Sequence, residues 1–543
     1  MYDQSHGPYG SARFATLEEV RAQGLLRPSG VEFGFVGGRP LYHANRAGMK
    51  VTGSSGSGKS SQIAIPMILG SDANFFILDV KNGEISRVIE AHCALLGIPF
   101  YTVDPYGVTD LPNLRVSLLS HLKAGSASLV PDSQRFWMAI QPDSGGDGSF
   151  FDQAGRRFGD ALTRHDVNLT GGTSLMSIFN LVSMIRADFE AWKSWADLAF
   201  GNGPPDIAAT FAEMANMYSG SPKTFDSILA GMSNALAFMT DPNLQDTFAS
   251  NEAADFSLDV IAQSRGRVIV SFIIPDKLLG VLSPLVRQFI SSVRLAKEAR
   301  PDARPVYFQL DEAARLKRFE ELAEMFAIGR SAGTVPIVYY QDDGQIARNL
   351  GPTGKRTIEA NAAMMLDLGG GIRDFETAKA RSEALGYQTI AVNDPLTQAR
   401  GHAAAAELKR QVMFEGGDPY VAGLKLSQLE YEAGHKRLMR KALMEPEQLM
   451  GLDASKMLVQ ARSYHLRPFI AEKRPYFLQR RFAGHYLPNP DEGGDAHSVM
   501  VRTFWGMHRR KIIETDAPPH LRELPQYRSG RPLRYVEGYK PKP

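Results

Sequence analysis

The chain has 543 residues, 43% of them hydrophobic and 22% charged, with a formal net charge of +2 and a single cysteine, Cys93. That length exceeds what one hydrophobic core supports, so two or more domains are expected, and the composition excludes a disordered chain. The near-neutral balance excludes a global basic field, leaving any nucleic-acid contact to a local patch or pore, and the lone cysteine excludes internal disulfides and cysteine zinc sites, which fits a reducing cytoplasm.

No apolar run reaches the about 18–20 residues that a membrane helix needs. The longest, Phe75–Leu78 and Val268–Ile274, have strand length, and Met1–His6 lacks a signal-peptide pattern. As given, the chain reads as soluble. Residues 1–50 are mixed and glycine-rich. Thr16 with Glu19 three residues on predicts a capped helix over Thr16–Arg21, and short strands follow.

The run Gly53-Ser54-Ser55-Gly56-Ser57-Gly58-Lys59-Ser60 is a complete G-x-x-x-x-G-K-S. Met49, Val51 and Thr52 before it read as a strand end, and Ser61–Leu69 after it reads as the start of a buried helix. Strand, glycine loop and helix is the arrangement of a P-loop. Its glycines let backbone N–H groups face a phosphate, and the helix start adds its positive dipole end. Lys59 would reach the β- and γ-phosphates of ATP, and the Ser60 hydroxyl would sit on Mg²⁺.

Ala73–Asp79 is a second buried strand ending in a carboxylate, and Ile98–Pro105 a third. Ligands of open parallel sheets gather at the carboxyl ends of strands. Asp79, Lys81 and Glu84 therefore read either as neighbours of the nucleotide or a subunit boundary, or as an ordinary polar strand end. From about residue 120 to 255 strand signals give way to helical ones, with Phe150–Leu162, Ser174–Ile185 and Asp226–Leu236 as examples and Gly/Ser/Asp clusters as punctuation. This is a helical domain inserted into an α/β domain. Trp192 and Trp195 within it read as packing rather than as a base-stacking platform.

The α/β pattern resumes at Arg267–Pro275, continues through a helix over about 282–299, and reaches Val306–Glu312, an apolar strand delivering Asp311 and Glu312 as a Walker B segment does. Asp311 would hold Mg²⁺ through water, and Glu312 would orient the attacking water. The next strand, Val335–Tyr340, ends at Gln341. With the P-loop strand beside the Asp-Glu strand, that side chain is placed as a γ-phosphate sensor. Arg330, on the preceding helix end, reads either as a surface arginine or as an arginine finger toward a neighbouring subunit. After Leu368-Gly369-Gly370-Gly371 the pattern weakens. Residues 388–440 are polar, with a helix expected over Leu424–Arg440, and Met457–Arg462 reads as a late edge strand with Arg467–Ala471 as its hairpin partner. From about residue 484 the chain is Pro/Gly-rich and basic (Arg509, Arg510, Lys511, Arg522, Arg528, Arg531, Arg534, Lys540, Lys542) and reads as an extended tail.

In this order the motifs resemble those of the type IV secretion coupling proteins, the TraG/TraD-type conjugation ATPases related to FtsK-like DNA translocases. The resemblance runs from Gly10–Thr16 through the P-loop, Asp79-Val80-Lys81-Asn82-Gly83-Glu84, Val103-Asp104-Pro105, the helical insertion, Leu310-Asp311-Glu312, Gly329–Gly333, Gln341–Gln345 and Met457–Arg462. It implies an α/β, RecA-like P-loop nucleotide-binding domain interrupted by an all-α domain: residues 1–122 and 257–483 around 123–256, with a tail over 484–543. It also implies ATP and Mg²⁺ as cofactors, with Gly53–Ser61 binding nucleotide, Ser60 and Asp311 on the metal, Lys59, Asp311, Glu312 and Gln341 catalytic, and Arg330 as the finger. Assembly into a ring, a hexamer by the same resemblance, would put ATP sites at subunit boundaries and pass single-stranded DNA. The implied partners are relaxase-bound DNA, the channel ATPases and inner-membrane components, at the cytoplasmic face of the inner membrane. A receptor for protein effectors and a nucleotide-stabilised scaffold are the alternatives. Arg156, Arg157 and Lys223 are candidate pore contacts. Two features depart from the family: no N-terminal membrane helix is seen, implying trimming or docking through a partner, and Asn82 interrupts the usual Lys-Gly-Glu.

Overall fold

The computed structural model describes residues 8–248, 250–263, 266–392, 395–434, 437–489 and 495–542. They form two compact units, one from Thr16–Ile372 and Asp453–Pro543, the other from Met1–Ala15 and Arg373–Leu452. Among the described residues, no helix is long and apolar enough to cross a membrane.

The larger unit is built on an eleven-stranded sheet. Its strands are β1 (Val31–Val36), β2 (Arg39–His43), β3 (Met49–Thr52), β4 (Asn74–Asp79), β5 (Phe100–Val103), β6 (Ile269–Ile273), β7 (Val306–Leu310), β8 (Thr334–Tyr340) and β9 (Met364–Leu368). The smaller unit contributes β10 (Tyr387–Val392) and β11 (Arg437–Ala442), and the larger one continues with β12 (Lys456–Gln460) and β13 (Phe469–Glu472). In space the sheet runs β2-β1-β13-β12-β9-β3-β8-β7-β4-β6-β5. From β9 to β5 all neighbours are parallel, and from β9 outward through β12, β13, β1 and β2 they are antiparallel.

This pattern follows from what the strands can bury. All six residues of β4 are buried, as are all of β7 and β8, so these strands are covered on both faces and read as near-continuous apolar runs. Phe76 packs on Phe289 and Phe308 at ring separations of 5.2 and 5.7 Å, which joins β4 to its neighbour β7 and to the helix Ser283–Glu298. Burying each such ring contributes roughly 2–3 kcal/mol.

Two expectations about the sheet are corrected. The P-loop strand β3 does not adjoin the Asp-Glu strand β7, because β8 lies between them. Nor is the pair β12–β13 an edge, since β12 also pairs with β9 and β13 with β1. Met457, Leu458 and Val459 are accordingly buried in succession, as an interior position requires.

Between residues 129 and 247 the chain is helical, from Leu129–Ile140 to Pro242–Thr247. These helices share one continuous hydrophobic cluster with the sheet, so Phe158, Trp192 and Phe211 belong to the same core as Phe76 and Phe272. Trp192 meets Phe158 edge-on at 5.6 Å, and Trp195 packs on His165 at 4.5 Å. A buried arginine stitches this block to the sheet. Arg287, on the helix Ser283–Glu298, donates to the carbonyls of Ala139 (2.6 Å), Ile140 (3.1 Å) and Leu316 (2.9 Å). Ala139 and Ile140 end the helix Leu129–Ile140, whose last carbonyls have no partner within the helix. Burial lowers the Arg287 pKa to about 10, still well above neutrality.

The stretch read as an extended basic tail is folded. β14 (Ser498–Thr503), β15 (Gly506–Thr515) and β16 (Leu533–Val536) form a three-stranded antiparallel sheet. Leu521, Tyr527, Leu533 and Tyr535 bury against Ala94 of the helix Glu84–Leu96. Arg531 pairs with Glu90 at 2.5 Å and with Asp110 at 3.3 Å. The side-chain amide of Gln526 accepts from Phe100 N–H and donates to Ile98 C=O, both at 3.0 Å. It therefore occupies open backbone groups at the start of the edge strand β5 and just before it, the kind of cover that exposed edges need.

In the smaller unit β10 and β11 pair antiparallel, and Ala12 N–H donates to Tyr387 C=O. Helices Pro395–Phe414 and Pro419–Gly434 lie between the two strands in sequence. The helix expected to run from Leu424 to Arg440 thus stops at Gly434, and Arg437–Ala442 is strand.

Arg287→Met is expected to lower stability by roughly 2–4 kcal/mol, because three charge-assisted hydrogen bonds go and buried carbonyls are orphaned. A thermal unfolding midpoint indistinguishable from that of the parent chain would contradict this account of the helical block.

Candidate functional site

The parallel strands deliver polar residues at their carboxyl ends. β3 runs into the glycine loop, β4 into Val80-Lys81, β7 into Asp311-Glu312 and β8 into Gln341. Because β8 lies between β3 and β7, Gln341 emerges between the loop and the carboxylate pair.

The glycine loop is held by backbone bonds at its root. Gly53 N–H donates to Tyr340 C=O (2.9 Å) and Ser54 N–H to Gly371 C=O (2.8 Å). A Cβ on Gly53 would lie 2.5 Å from Ser57 Oγ, and one on Gly371 would lie 2.8 Å from Gly53 Cα. The triple glycine after β9 therefore buttresses the loop, a role that its composition alone did not reveal. Ser55 and Gly56 stand exposed at the loop tip, while Ser57, Lys59 and Ser60 are buried. Gly58 adopts φ +84° and leads into a π-helical turn, Lys59–Ala64, on which Ser61 is half-buried.

Lys59 Nζ donates to Gly53 C=O at 2.9 Å and stands 3.9 Å from Glu312 Oε1. Burial lowers its pKa, against the pull of Glu312 and Asp311. Lys81 Nζ donates to Ser60 Oγ at 3.3 Å and lies 3.8 Å from Asp311 Oδ2. Burial works against its charge, but the carboxylates of Asp311, Glu84, Glu312 and Asp79 outweigh it and raise its pKa. Gln341 Nε2 lies 3.4 Å from both carboxylate oxygens of Glu312, and its N–H donates to Gln345 Oε1 at 3.0 Å. Glu312 has φ +51°, a left-handed conformation that costs a non-glycine residue about 1–2 kcal/mol.

The three residues left open after β4 take different places. Lys81 joins the site. Asp79 turns inward, where its Oδ2 accepts from Ser86 N–H (2.8 Å) and Ser86 Oγ (2.7 Å) at the start of the helix Glu84–Leu96. Glu84 accepts from Asn489 Nδ2 at 2.9 Å. Asn82 adopts φ +49°, which asparagine tolerates better than most residues, and Gly83 follows at φ +71°.

Lys473 was missed. It follows β13, its side chain is 2% exposed, and its Nζ donates to Ser57 C=O (2.6 Å) and Gln62 Oε1 (2.8 Å). Burial lowers its pKa to about 8. It clamps the loop from the antiparallel side of the sheet, and no local pattern around it announces that contact.

Arg330 is not brought to the loop of its own chain. It is exposed near the end of the helix Glu320–Ala332, four residues before β8 begins, whereas Gln341 follows the other end of that strand. Arg156 and Arg157 pair with Asp143 (3.5 Å) and Glu213 (2.5 Å) within the helical block, and Lys223 is exposed there.

The donor set at Ser60 and Asp311, a hydroxyl and a carboxylate spanned by one ammonium, suits a hard cation such as Mg²⁺. Among the described residues no cluster of three or more His, Cys, Asp or Glu offers an all-protein metal cage. Mg²⁺ commonly binds through one or two protein oxygens, with waters and phosphate completing its shell, so the two donors fit.

Comparison with known proteins gives a consistent result. Residues 14–406 match the family described as type IV secretory system conjugative DNA transfer. The type IV secretion system-coupling protein VirD4 of Bartonella quintana (strain Toulouse) is 27% identical over 190 residues, 34% of this chain and 28% of that protein. VirD4 of Bartonella henselae (strain ATCC 49882 / DSM 28221 / CCUG 30454 / Houston 1) matches to the same extent. The chain thus spans 28% of the length of these curated relatives. Among solved structures, the bacterial conjugative coupling protein TrwBdeltaN70 in complex with sulphate superposes with a TM-score of 0.60 at 17% identity, covering 86% of this chain and 95% of that one. The plasmid coupling protein TrwB in complex with ADP and Mg²⁺ superposes with a TM-score of 0.58 at 14% identity, covering 87% and 96%. These likenesses show the fold, a RecA-like P-loop sheet flanked by helices.

Two expectations test the geometry. Burial raises the Asp79 pKa from 3.8 to about 7, with Glu84 and Asp311 adding to the rise and the Ser86 bonds opposing it. A raised carboxyl contributes stability that is full below about pH 3.8 and is lost as pH rises toward about 7. Asp79→Asn should therefore gain stability over the parent chain progressively across that window and hold a constant difference above it; a pH-independent difference in denaturant midpoints would refute this. Lys473→Met should raise amide hydrogen exchange over residues 53–62 by about tenfold or more, as expected when charge-assisted bonds worth roughly 1.5–3 kcal/mol are lost; unchanged exchange would deny the clamp.

Proposed function

The chain belongs to the type IV secretory system conjugative DNA transfer family, and from that premise we propose that it is an ATP-driven coupling protein that recruits DNA and delivers it to a type IV secretion channel. The observation that carries the reading is the meeting of Lys59, Ser60, Asp311, Glu312 and Gln341 at neighbouring strand ends, linked by contacts of 3.3–3.9 Å through Lys81 and Glu312. TrwB, solved with ADP and Mg²⁺ and with the non-hydrolysable ATP analogue ADPNP, supports ATP and Mg²⁺ as the ligands here.

In this proposal the amides of Gly53–Ser61 cradle the phosphates and Lys59 exchanges its bond to Gly53 C=O for the β- and γ-phosphates. Ser60 and Asp311 would hold Mg²⁺, whose charge would offset that of the phosphate oxygens. Lys81 holds the same two side chains in its absence. Glu312 orients and polarises the attacking water. Gln341, already against Glu312, reports whether the γ-phosphate is present and relays that to the helix beginning at Asp343. Arg330 serves the site of a neighbouring subunit as an arginine finger in a ring, the hexamer of the family. The outward position of Arg330 on its own chain supports that reading. The partners are single-stranded or relaxase-bound DNA, the channel ATPases and inner-membrane components, at the cytoplasmic face of the inner membrane.

The test is ATP turnover with and without single-stranded DNA at low and moderate salt. Lys59→Ala should abolish nucleotide binding and turnover. Glu312→Gln should keep binding while turnover falls by about 10²–10⁴-fold, the usual contribution of positioned proton transfer. Turnover surviving in Glu312→Gln would sink the motor assignment. Stimulation by a secreted effector and not by DNA would make the chain a protein receptor instead.

A further inference from the structure

The β14–β15 hairpin lies outside the nucleotide site, and its two-residue turn is Phe504-Trp505, 74% and 84% exposed. Two-residue turns that demand positive φ favour Asn, Asp and Gly, but here the positive φ falls on Gly506 (+121°) and not on Phe504 or Trp505, so the backbone admits these two residues without requiring them. Two large aromatics there cost solubility and bring no packing to the fold. They are nevertheless held in place: Trp505 N–H donates to Thr503 Oγ1 (3.2 Å), and Thr503 Oγ1 donates to Gly506 C=O (3.1 Å). The rings meet edge-on at 5.2 Å, and the Arg480 guanidinium lies 5.6 Å from the Phe504 ring centre.

Below the tip one face of the hairpin is both cationic and open. The register pairs Met500 with Arg509 and Arg502 with Met507, so strand alternation puts these four side chains on a common face. Met500, Arg502 and Arg509 are exposed, as is Lys511 further along the strand. Among the described residues Arg502, Arg509 and Lys511 make no ion pair within 4 Å. Asp495, whose charge is felt by Arg509, is already bonded to His497 N–H and Ser498 Oγ.

From this juxtaposition we infer that the β14–β15 hairpin docks single-stranded nucleic acid, with bases stacked on Phe504 and Trp505 and the phosphate backbone following Arg480, Arg502, Arg509 and Lys511. The choice of occupant rests on the DNA-transfer function proposed above. Aromatic platforms joined to a line of cations are what sequence-independent single-strand binding uses. An anionic lipid surface also takes aromatic side chains beside basic ones, and it is therefore one of the outcomes that the test below separates.

The full chain reports on this directly. Of its four tryptophans, Trp137 and Trp192 are buried and Trp195 is half-buried, so Trp505 dominates the solvent-accessible fluorescence. An oligo-dT 20-mer is expected to quench that fluorescence, more weakly as salt rises. Phe504→Ala/Trp505→Ala should weaken binding by about 10- to 100-fold, measured by anisotropy of a labelled oligonucleotide, and leave basal ATP turnover unchanged. Arg502→Ala/Arg509→Ala should reduce the slope of log affinity against log salt by roughly one per cation removed. Oligonucleotide binding that is intact in both double variants would overturn the hairpin site while leaving the DNA-transfer function standing. A parent chain that neither binds the oligonucleotide nor is stimulated by it would overturn that function as well. Loss of binding to phosphatidylglycerol vesicles, or of self-association by sedimentation, in variants that still bind the oligonucleotide would assign the tip to a lipid surface or to a second copy and overturn the inference.

Discussion

Two ammonium groups and two carboxylates share the carboxyl ends of neighbouring parallel strands, and the architecture around them serves to keep them there. Lys59 follows β3, Lys81 follows β4, and Asp311 and Glu312 follow β7. Lys59, Asp311 and Glu312 are largely shielded from water, so any one of them left uncompensated would be expensive. Together they balance, each ammonium within 4 Å of a carboxylate of the pair. A phosphate ligand that draws Lys59 away would disturb this balance beside Glu312, which Gln341, the sensor of the proposed mechanism, already touches.

The cluster depends on supports that are themselves electrostatic or conformational. Glu312 is held at positive φ, a strain of the kind that persists where surrounding structure over-determines it, and Gln341 Nε2 lies against its carboxylate. The loop is braced on two sides, by the glycine run after β9 and by Lys473 after β13. Both braces come from strands late in the chain. Through Lys473 the antiparallel extension of the sheet thus reaches the glycine loop, the first motif in the sequence.

The same logic of long-range support holds elsewhere. Arg287 ties the helical block to the helix over the sheet, and Gln526 closes the edge strand β5 with its side-chain amide. In each case one polar side chain satisfies backbone groups that the element's own hydrogen bonding leaves open.

What the sequence determined by itself was whatever depends on local order. A glycine loop between an apolar strand and a helix, an apolar strand ending in Asp311-Glu312, and another ending at Gln341 were legible because each motif needs only its own residues in succession. The doubly covered strands were legible for the same reason: apolar runs such as Phe75–Leu78 suit strands buried on both faces, while the buried Asn74 and Asp79 at the ends of β4 find hydrogen-bond partners in the fold. The tertiary structure alone decided which strand ends meet. It placed β8 between β3 and β7, turned Asp79 inward while sending Lys81 into the site, brought Lys473 from the far end of the chain onto the loop, and folded a Pro/Gly-rich stretch onto the helix Glu84–Leu96. None of these has a periodicity to read, because each rests on a contact between residues far apart in sequence. Such contacts are selected by burial and charge compensation in the assembled core, and neither exists until the sheet has formed.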